Sequence, residues 1–451
     1  MCIRDRRIQA EAKRLTASPS DAEKTKNTEK EKNTEKTKNT EKTKKTNTEK
    51  EKFSEVRVAT PSEAEAATPS EVKKPESTKL PEISAAAKEI GSAMYADAAE
   101  NTVYTISNAA TSGFSVSGGT LTDTNVTTLT EAVKAILAQS KTTKVAIDFD
   151  KIVSSESDGI KLDTPCELTL TGSYKAKALF KINSAGRFTI HNTANITVSE
   201  MAITNSKGAE VIFEHNDGTL RHSTGGQLFN LKTNDKVYLT GGEINGTVFG
   251  NQKGGYVEIS DGVWNGSLSS VKEVKISGGS LKYCKADAYS ISAIRGAEKI
   301  SINGGEIYAK NTNTTSPSRA AYAISMAKSS QLILSGVVDI SASCDSGKQG
   351  SLYYFGGAYP TVDATGLTSV NSGFTLAPYY SAMTSSSALT NWMECSADYI
   401  ESLLNNMSLN VICPNATTQA ECEKYILKAA GNYIRIVDKN APANQIEEGV
   451  I

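Results

Sequence analysis

The sequence predicts an all-β protein, a parallel β-helix, and three observations carry that prediction. A short phrase of alternating residues ending on a Gly pair recurs: Val237-Tyr-Leu239-Thr-Gly241-Gly242-Glu-Ile244, Val257-Glu-Ile259-Ser-Asp261-Gly262-Val-Trp264, Val274-Lys-Ile276-Ser-Gly278-Gly279-Ser-Leu281 and Ile300-Ser-Ile302-Asn-Gly304-Gly305-Glu-Ile307. The second Gly steps by 262−242 = 20, 279−262 = 17 and 305−279 = 26 residues, the size of a solenoid rung. A third apolar segment follows most corners: Thr247-Val248-Phe249, Tyr289-Ser-Ile291 with Ile294, and Tyr322-Ala-Ile324. Alternation over three to five positions is the period of a half-buried strand. Glycine bends the chain at positive φ without a Cβ clash, so each phrase reads strand, corner, strand. Three strands per turn, each bonded to its counterpart roughly 4.8 Å away, make a cylinder with a dry core.

Taken in order, the chain begins with a tract that has nothing to bury. Residues 23–52 are mostly Glu, Lys, Thr and Asn, with a Glu-Lys-Thr-Lys-Asn-Thr hexad recurring from Glu23 and Glu35. Such a tract cannot offset the entropy of ordering. Ala-Thr-Pro-Ser-Glu repeats at 59–63 and 67–71 follow, a composition that stiffens and extends a linker. Residues 1–95 are therefore expected to be a disordered tail and linker, with a short helix over 84–95. The first six residues, Met-Cys-Ile-Arg-Asp-Arg, resemble a translated sequencing-adapter fragment, and the expectation is that a natural start and its leader are missing.

The cylinder is expected over residues 100–390. Phe114-Ser-Val116-Ser-Gly118-Gly119-Thr-Leu121 already carries the phrase. Thr128-Leu-Thr-Glu131 is a capping-box signature, and Leu129, Val133, Ile136 and Leu137 share one face of the helix it starts. That helix is expected to cover the open first rung. Strand patterns follow at Val145-Ala-Ile147, Ile160-Lys-Leu162, Leu168-Thr-Leu170, Phe188-Thr-Ile190, Ile196-Thr-Val198 and Val211-Ile-Phe213. After Ile340 the phrase fades. Residues 391–451 are expected to form an α/β cap or a small separate module: helix 397–404, strand 409–412, helix 418–430 started by Thr418-Gln-Ala-Glu421, strand 433–437, then a polar tail.

The phrase resembles the right-handed parallel β-helix proteins of the pectin-lyase-like class, and more narrowly their non-catalytic bacterial surface and adhesin-type members. The resemblance runs from about Val103 to Ala342. It implies a right-handed coil and leaves the function open, since related β-helix proteins include polysaccharide lyases and glycoside hydrolases.

Composition narrows the function classes. A formal net charge of −1 over 451 residues gives no argument for nucleic acid. No run of 18 apolar residues is present, so no transmembrane helix is expected. Seven Cys without CxxC spacing argue against a zinc or redox motif. Cys166, Cys284 and Cys344 read as small hydrophobes in strands, while Cys395, Cys413 and Cys422 cluster where a disulfide would indicate export.

A search for chemistry finds no paired Asp within the coil and no cofactor or metal motif. Glu243, Asp261 and Glu306 flank corners, and His215-Asn216-Asp217-Gly218, with Arg221 and His222 nearby, reads as a turn. No catalytic residue is assigned. Tyr238, Tyr256, Tyr283, Tyr289 and Tyr308 are expected to face outward, where a ring offers a sugar an apolar face and a polar tip. Gly118, Gly119, Gly241, Gly242, Gly262, Gly278, Gly279, Gly304 and Gly305 are expected to be structural corners. The expectation is a non-enzymatic cell-surface or secreted protein that binds a polysaccharide or a host or neighbouring cell surface. The alternatives are a carbohydrate-active enzyme and a purely structural extracellular rod.

Overall fold

The structure, a computed structural model, describes residues 102–440 except 111, 141–143, 157, 287, 313–315, 317, 328, 346, 355–360, 381–390 and 415. The expected tail, linker and short helix before residue 95 lie outside the described residues.

From Lys144 onward the chain winds as a three-sided parallel β-helix. Its third face is one sheet of eleven strands, one per rung, from Ile160–Leu162 to Met407–Leu409. The first and second faces share a larger sheet, because strands such as Glu167–Ala176 and Gln331–Cys344 run through the corner between them. The repeated phrases occupy successive rungs in register: Val237 opposes Val257, Val257 opposes Val274, and Val274 opposes Ile300.

That register stacks like on like inside the coil. The first face supplies Val145, Leu168, Ile190, Phe213, Val237 and Val257 in turn. The second supplies Tyr174, Ile196, Leu220, Ile244, Trp264 and Leu281. The third supplies Phe180, Ile203, Phe229, Val248, Leu268 and Ile294. All are buried in one continuous core. Each such side chain contributes about 2 kcal/mol, and only while the next rung covers it.

The corner between the first two faces has its own ladder. The amides of Thr240, Ser260, Ser277 and Asn303 donate to the carbonyls of His215, Leu239, Ile259 and Ile276, each one rung back. Three residues on, the amides of Glu243, Val263, Ser280 and Glu306 donate to Gly218, Gly242, Gly262 and Gly279. Gly242, Gly262, Gly279 and Gly305 hold φ of +70°, +77°, +63° and +77°. A Cβ on Gly262 would stand 2.7 Å from the carbonyl oxygen of Gly242. So glycine is required twice over, for its backbone angle and for the close approach of the next rung.

The two ends depart from the coil. Val103–Asn108 pairs in parallel with the first rung and antiparallel with Phe114–Gly118, which turns back into Leu121–Val126. Gly118 and Gly119 therefore make a hairpin turn, not a corner of the coil. Their phrase is local, and only the antiparallel partner distinguishes the two uses. Helix α1 (Leu129–Gln139) carries the expected capping box, with Thr128 and Glu131 bonding reciprocally. It buries Leu129, Ala132, Val133 and Ile136 against the core. Thr130 Oγ1 accepts from the Lys161 amide at 3.1 Å, which satisfies an edge group of the first rung.

At the other end the coil runs past residue 390. Asn391–Cys395 and Met407–Leu409 form the last rung, with helix α2 (Ile400–Asn405) between them. The expected helix over 418–430 is corrected. Helix α3 (Gln419–Cys422) is a single turn, and Thr418 makes no side-chain cap bond. Tyr425–Ala430 is instead a strand, paired antiparallel with Tyr433–Asp438, which in turn pairs with Asn391–Cys395. Tyr433–Asp438 closes the open edge of the last rung, and pairing along that strand's other edge outweighs the local helix preference of 425–430. Cys284 is also corrected: alternation from buried Leu281 places it outward, and it is exposed.

The corner ladder predicts an unequal response to one added methyl group. Gly262→Ala meets both strain and a carbonyl, and should cost about 3 kcal/mol in urea unfolding. Gly208, at φ +69° with nothing within 4 Å of an added Cβ, should cost only about 1 kcal/mol on the same change.

Candidate functional site

Because inward and outward residues alternate, each face displays one outward residue per rung at each position. On the first face His191, Glu214, Tyr238, Glu258 and Lys275 follow one another in register. Two residues earlier on each strand run Lys236, Tyr256, Glu273 and Lys299. Tyr238 and Tyr256 are diagonal neighbours, with ring centroids 5.7 Å apart and planes tilted by 51°. Tyr256 donates its hydroxyl to Glu258 at 2.6 Å, and Lys275 holds the other oxygen of that carboxylate at 2.7 Å. Burial, then the Glu258 bond, pushes the Tyr256 phenol above its ordinary range, and burial does the same at Tyr238.

These rings stand over a groove of about 350 Å³, lined among others by Asn234, Lys236, Lys272 and Glu273. Its floor is set by the turn from the third face back to the first. Asp235 is buried there and accepts from the Asn205 side chain and from the amides of Val211 and Lys232. Burial raises the Asp235 carboxyl despite those bonds. Gly255, at φ +81°, lies too close to the Leu231 side chain for a Cβ to fit. Most surrounding charges are matched: Lys236 with Glu210 at 3.4 Å, and Lys299 with Glu273 at 2.9 Å.

The five tyrosines expected on one surface are divided among three. Tyr238 and Tyr256 share the first face. Tyr308 is outward on the second face, opposite Lys282. Tyr283 falls on the inward alternation, opposite Ala309, and packs against the core. Tyr289 lies ahead of the third face and is 71% exposed. The acidic residues beside the corners also separate. Glu243 and Glu306 lie in one outward column three rungs apart, with Val263 and Ser280 between them. Asp261 sits at the corner, where it accepts from the Gly262 amide. Sequence reasoning missed Lys236, Lys272, Glu258 and Glu273, although their alternation with buried Val237 and Val257 marks most of them as outward. It also missed Glu306 and Asp339 as neighbours on adjacent rungs, 33 residues apart. Burial, then Glu306, raises the Asp339 carboxyl, while Lys282 pairs with Glu306 at 2.8 Å.

The histidines take different roles. His191 bridges Glu214 at 2.8 Å and Glu167 at 3.1 Å, and the Glu214 bond leads in raising its pKa. His215 is fully buried within the first-face column, between Asn192 and Leu239. Its Nδ1 lies 2.8 Å from the Asn192 amide nitrogen, so His215 accepts there and is neutral. Desolvation pulls its pKa down to about 4, against weaker opposing effects of Gly218, Glu243 and Asp217. The turn at 216–218 is structural, with Asn216 accepting from Thr240 at 2.6 Å and Asp217 from the Gly218 amide. Among the described residues no group of three His, Cys, Asp or Glu is arranged to hold a metal ion. Cys413 and Cys422 are joined by a disulfide, and Cys395 is buried and free.

No family model matches the chain, and no curated protein or solved structure matches it.

The buried His215 sets a pH dependence with a definite sign. Unfolded, it gains a proton as pH falls through about 6.5; folded, it resists until about 4. Its contribution is therefore complete above pH 6.5 and lost progressively toward pH 4, a change of roughly 3 kcal/mol. Asn192→Leu/His215→Leu continues the column of Leu170 and Leu239 and removes both polar partners at once. Urea unfolding at pH 7.5 and 4.5 should show the double variant losing about 2–3 kcal/mol less than the parent. His191 is common to both proteins and cancels. An equal loss in the two would exclude a neutral buried His215.

Proposed function

We propose that this β-helix acts by binding, as a secreted or cell-surface protein of the pectin-lyase-like kind that recognises a glycan on a polysaccharide or a neighbouring cell. The observation that carries the reading is the Tyr238–Tyr256 pair above the first-face groove. Two tilted rings on adjacent rungs offer the apolar faces of successive sugar units an apolar surface at a fixed spacing. Lys236, Lys272, Asn234 and Glu273 along the same groove offer donors and acceptors for hydroxyl groups. The rings cost little to hold, because Tyr256 is tethered to Glu258 and the strands beneath are rigid.

The carboxylates beside the rings favour binding over catalysis. Glu258 is shared between Tyr256 and Lys275, and Glu273 is paired with Lys299. A general acid needs a carboxyl with a raised pKa at hydrogen-bond reach of a bound sugar. Two carboxyls among the described residues are raised. Asp235 on the groove floor is buried and already accepts from the Asn205 side chain and the Val211 and Lys232 amides, and Asp339 beside Glu306 is on the second face. The Cys413–Cys422 disulfide supports export, since such bonds persist in oxidising compartments.

The test is binding of the full chain to a panel of immobilised neutral and acidic polysaccharides. Tyr238→Ala and Tyr256→Ala should each weaken capture of the bound polymer about tenfold, with unfolding midpoints close to the parent's. A product assay runs beside it. Release of unsaturated oligosaccharides from a uronan by the intact chain would replace this reading with a lyase.

A further inference from the structure

The third face carries a second aromatic surface with a different charge balance. Tyr353 stacks on Tyr322 with ring centroids 3.9 Å apart and planes 11° from parallel. Tyr322 is buried and Tyr353 is half-buried, so Tyr353 is the outer ring of the pair. The C-terminal segment closes one side of this cluster, where Ile412 packs with Tyr322 and bridges Tyr379. On the side toward the exposed Tyr289, the Arg319 guanidinium lies 5.9 Å from the Tyr289 ring centroid. Arg295 is exposed on the same face, in the column that runs Arg295, Ser325, Tyr353. Ser325 is small, and the charge of Arg295 acts on the Tyr353 phenol across it.

The charge balance differs from that of the first face. On the first face Lys236, Lys275 and Lys299 each pair with a carboxylate. Among the described residues no ion pair involves Arg295 or Arg319. The Nε of Arg319 is moreover buried without a hydrogen-bond partner. That burial fixes the base of the guanidinium, and a ligand oxygen would meet its terminal nitrogens. Arginine presents a planar fork of donors that matches a two-oxygen anion and also stacks on aromatic faces.

We propose that Arg295 and Arg319, with Tyr289 and Tyr353, form a second binding site that takes an acidic oligosaccharide, its sugar rings against the tyrosines and separate carboxylates or sulfates on the two guanidinium forks. The site is separate from the Tyr238–Tyr256 groove. Only the class of ligand, a glycan, rests on the function proposed above. The shared chemistry is an oxyanion on a pyranose, and a uronic acid and a sulfated sugar both supply it.

Three polymers separate the possibilities: polygalacturonate, dextran sulfate and unmodified dextran. The full chain is compared with Arg295→Gln/Arg319→Gln and with Tyr238→Ala. Exposed Arg295→Gln alone, together with unfolding midpoints, guards against a folding defect in the double variant. The expected result is capture of polygalacturonate or dextran sulfate that falls at least about tenfold in the double arginine variant. Capture should survive Tyr238→Ala and weaken as salt rises. Arg295→Gln should give a part of the loss, and unmodified dextran should not distinguish the arginine variant from the parent. Failure of both acidic polymers to bind, or equal binding by parent and arginine variant, would overturn the second site. Acidic binding lost in Tyr238→Ala but kept in the arginine variant would also overturn it, and would leave the first-face groove as the glycan site.

Discussion

The coil depends on how closely one corner can approach the next. At Gly242, Gly262, Gly279 and Gly305 the backbone takes a left-handed turn, and the carbonyl of the glycine below lies where a side chain would begin. The neighbouring amides bond straight down the stack. A Cβ at these points would push two rungs apart, and every inward column would lose contact together. Dispersion and hydrophobic gains fall steeply with such a gap. The corner glycines thus act at a distance, by setting the rung spacing on which the inward columns of all three faces rely.

Once the spacing is fixed, the outside of the protein is free to carry function. Each outward position repeats once per rung on a flat parallel surface, so chemistry is composed column by column. The first face uses this to place Tyr238 beside Tyr256 and to balance Lys275 with Glu258. The third face uses it to build an aromatic stack beside Arg319 and Arg295, with which no carboxylate among the described residues pairs. The two surfaces share geometry and differ in charge.

The interior admits one polar interruption in its first-face column. Asn192 and His215 occupy adjacent rungs where the flanking residues are Leu170 and Leu239. The pair satisfies itself in part, since the amide of Asn192 donates to the ring of His215. The Asn192 Oδ1 and the His215 Nε2 make no hydrogen bond. An aliphatic pair would give the same column more stability, because buried polar atoms left without partners carry the full cost of desolvation. A fixed polar rung does mark one position among otherwise similar ones, a device that resists slippage of register.

By itself, the sequence determined the rung. Alternation around Val257 and Ile259, the Gly pairs and the steps of 20, 17 and 26 residues are local signals, and local sterics and side-chain alternation decide them. The capping box at Thr128 and Glu131 was legible for the same reason. Tertiary structure alone decided what lies beside what and how the coil ends. Gly118 and Gly119 carry the same phrase as a corner yet turn a hairpin, because an antiparallel strand is their neighbour. Residues 425–430 became a strand because 433–438, which closes the last rung, offers its other edge to a hairpin partner. The tyrosine pairs formed or separated according to loop lengths that set which residues share a column. Pairing between rungs of the coil joins residues 17 to 33 positions apart, and no window of sequence short enough to show a period contains both partners.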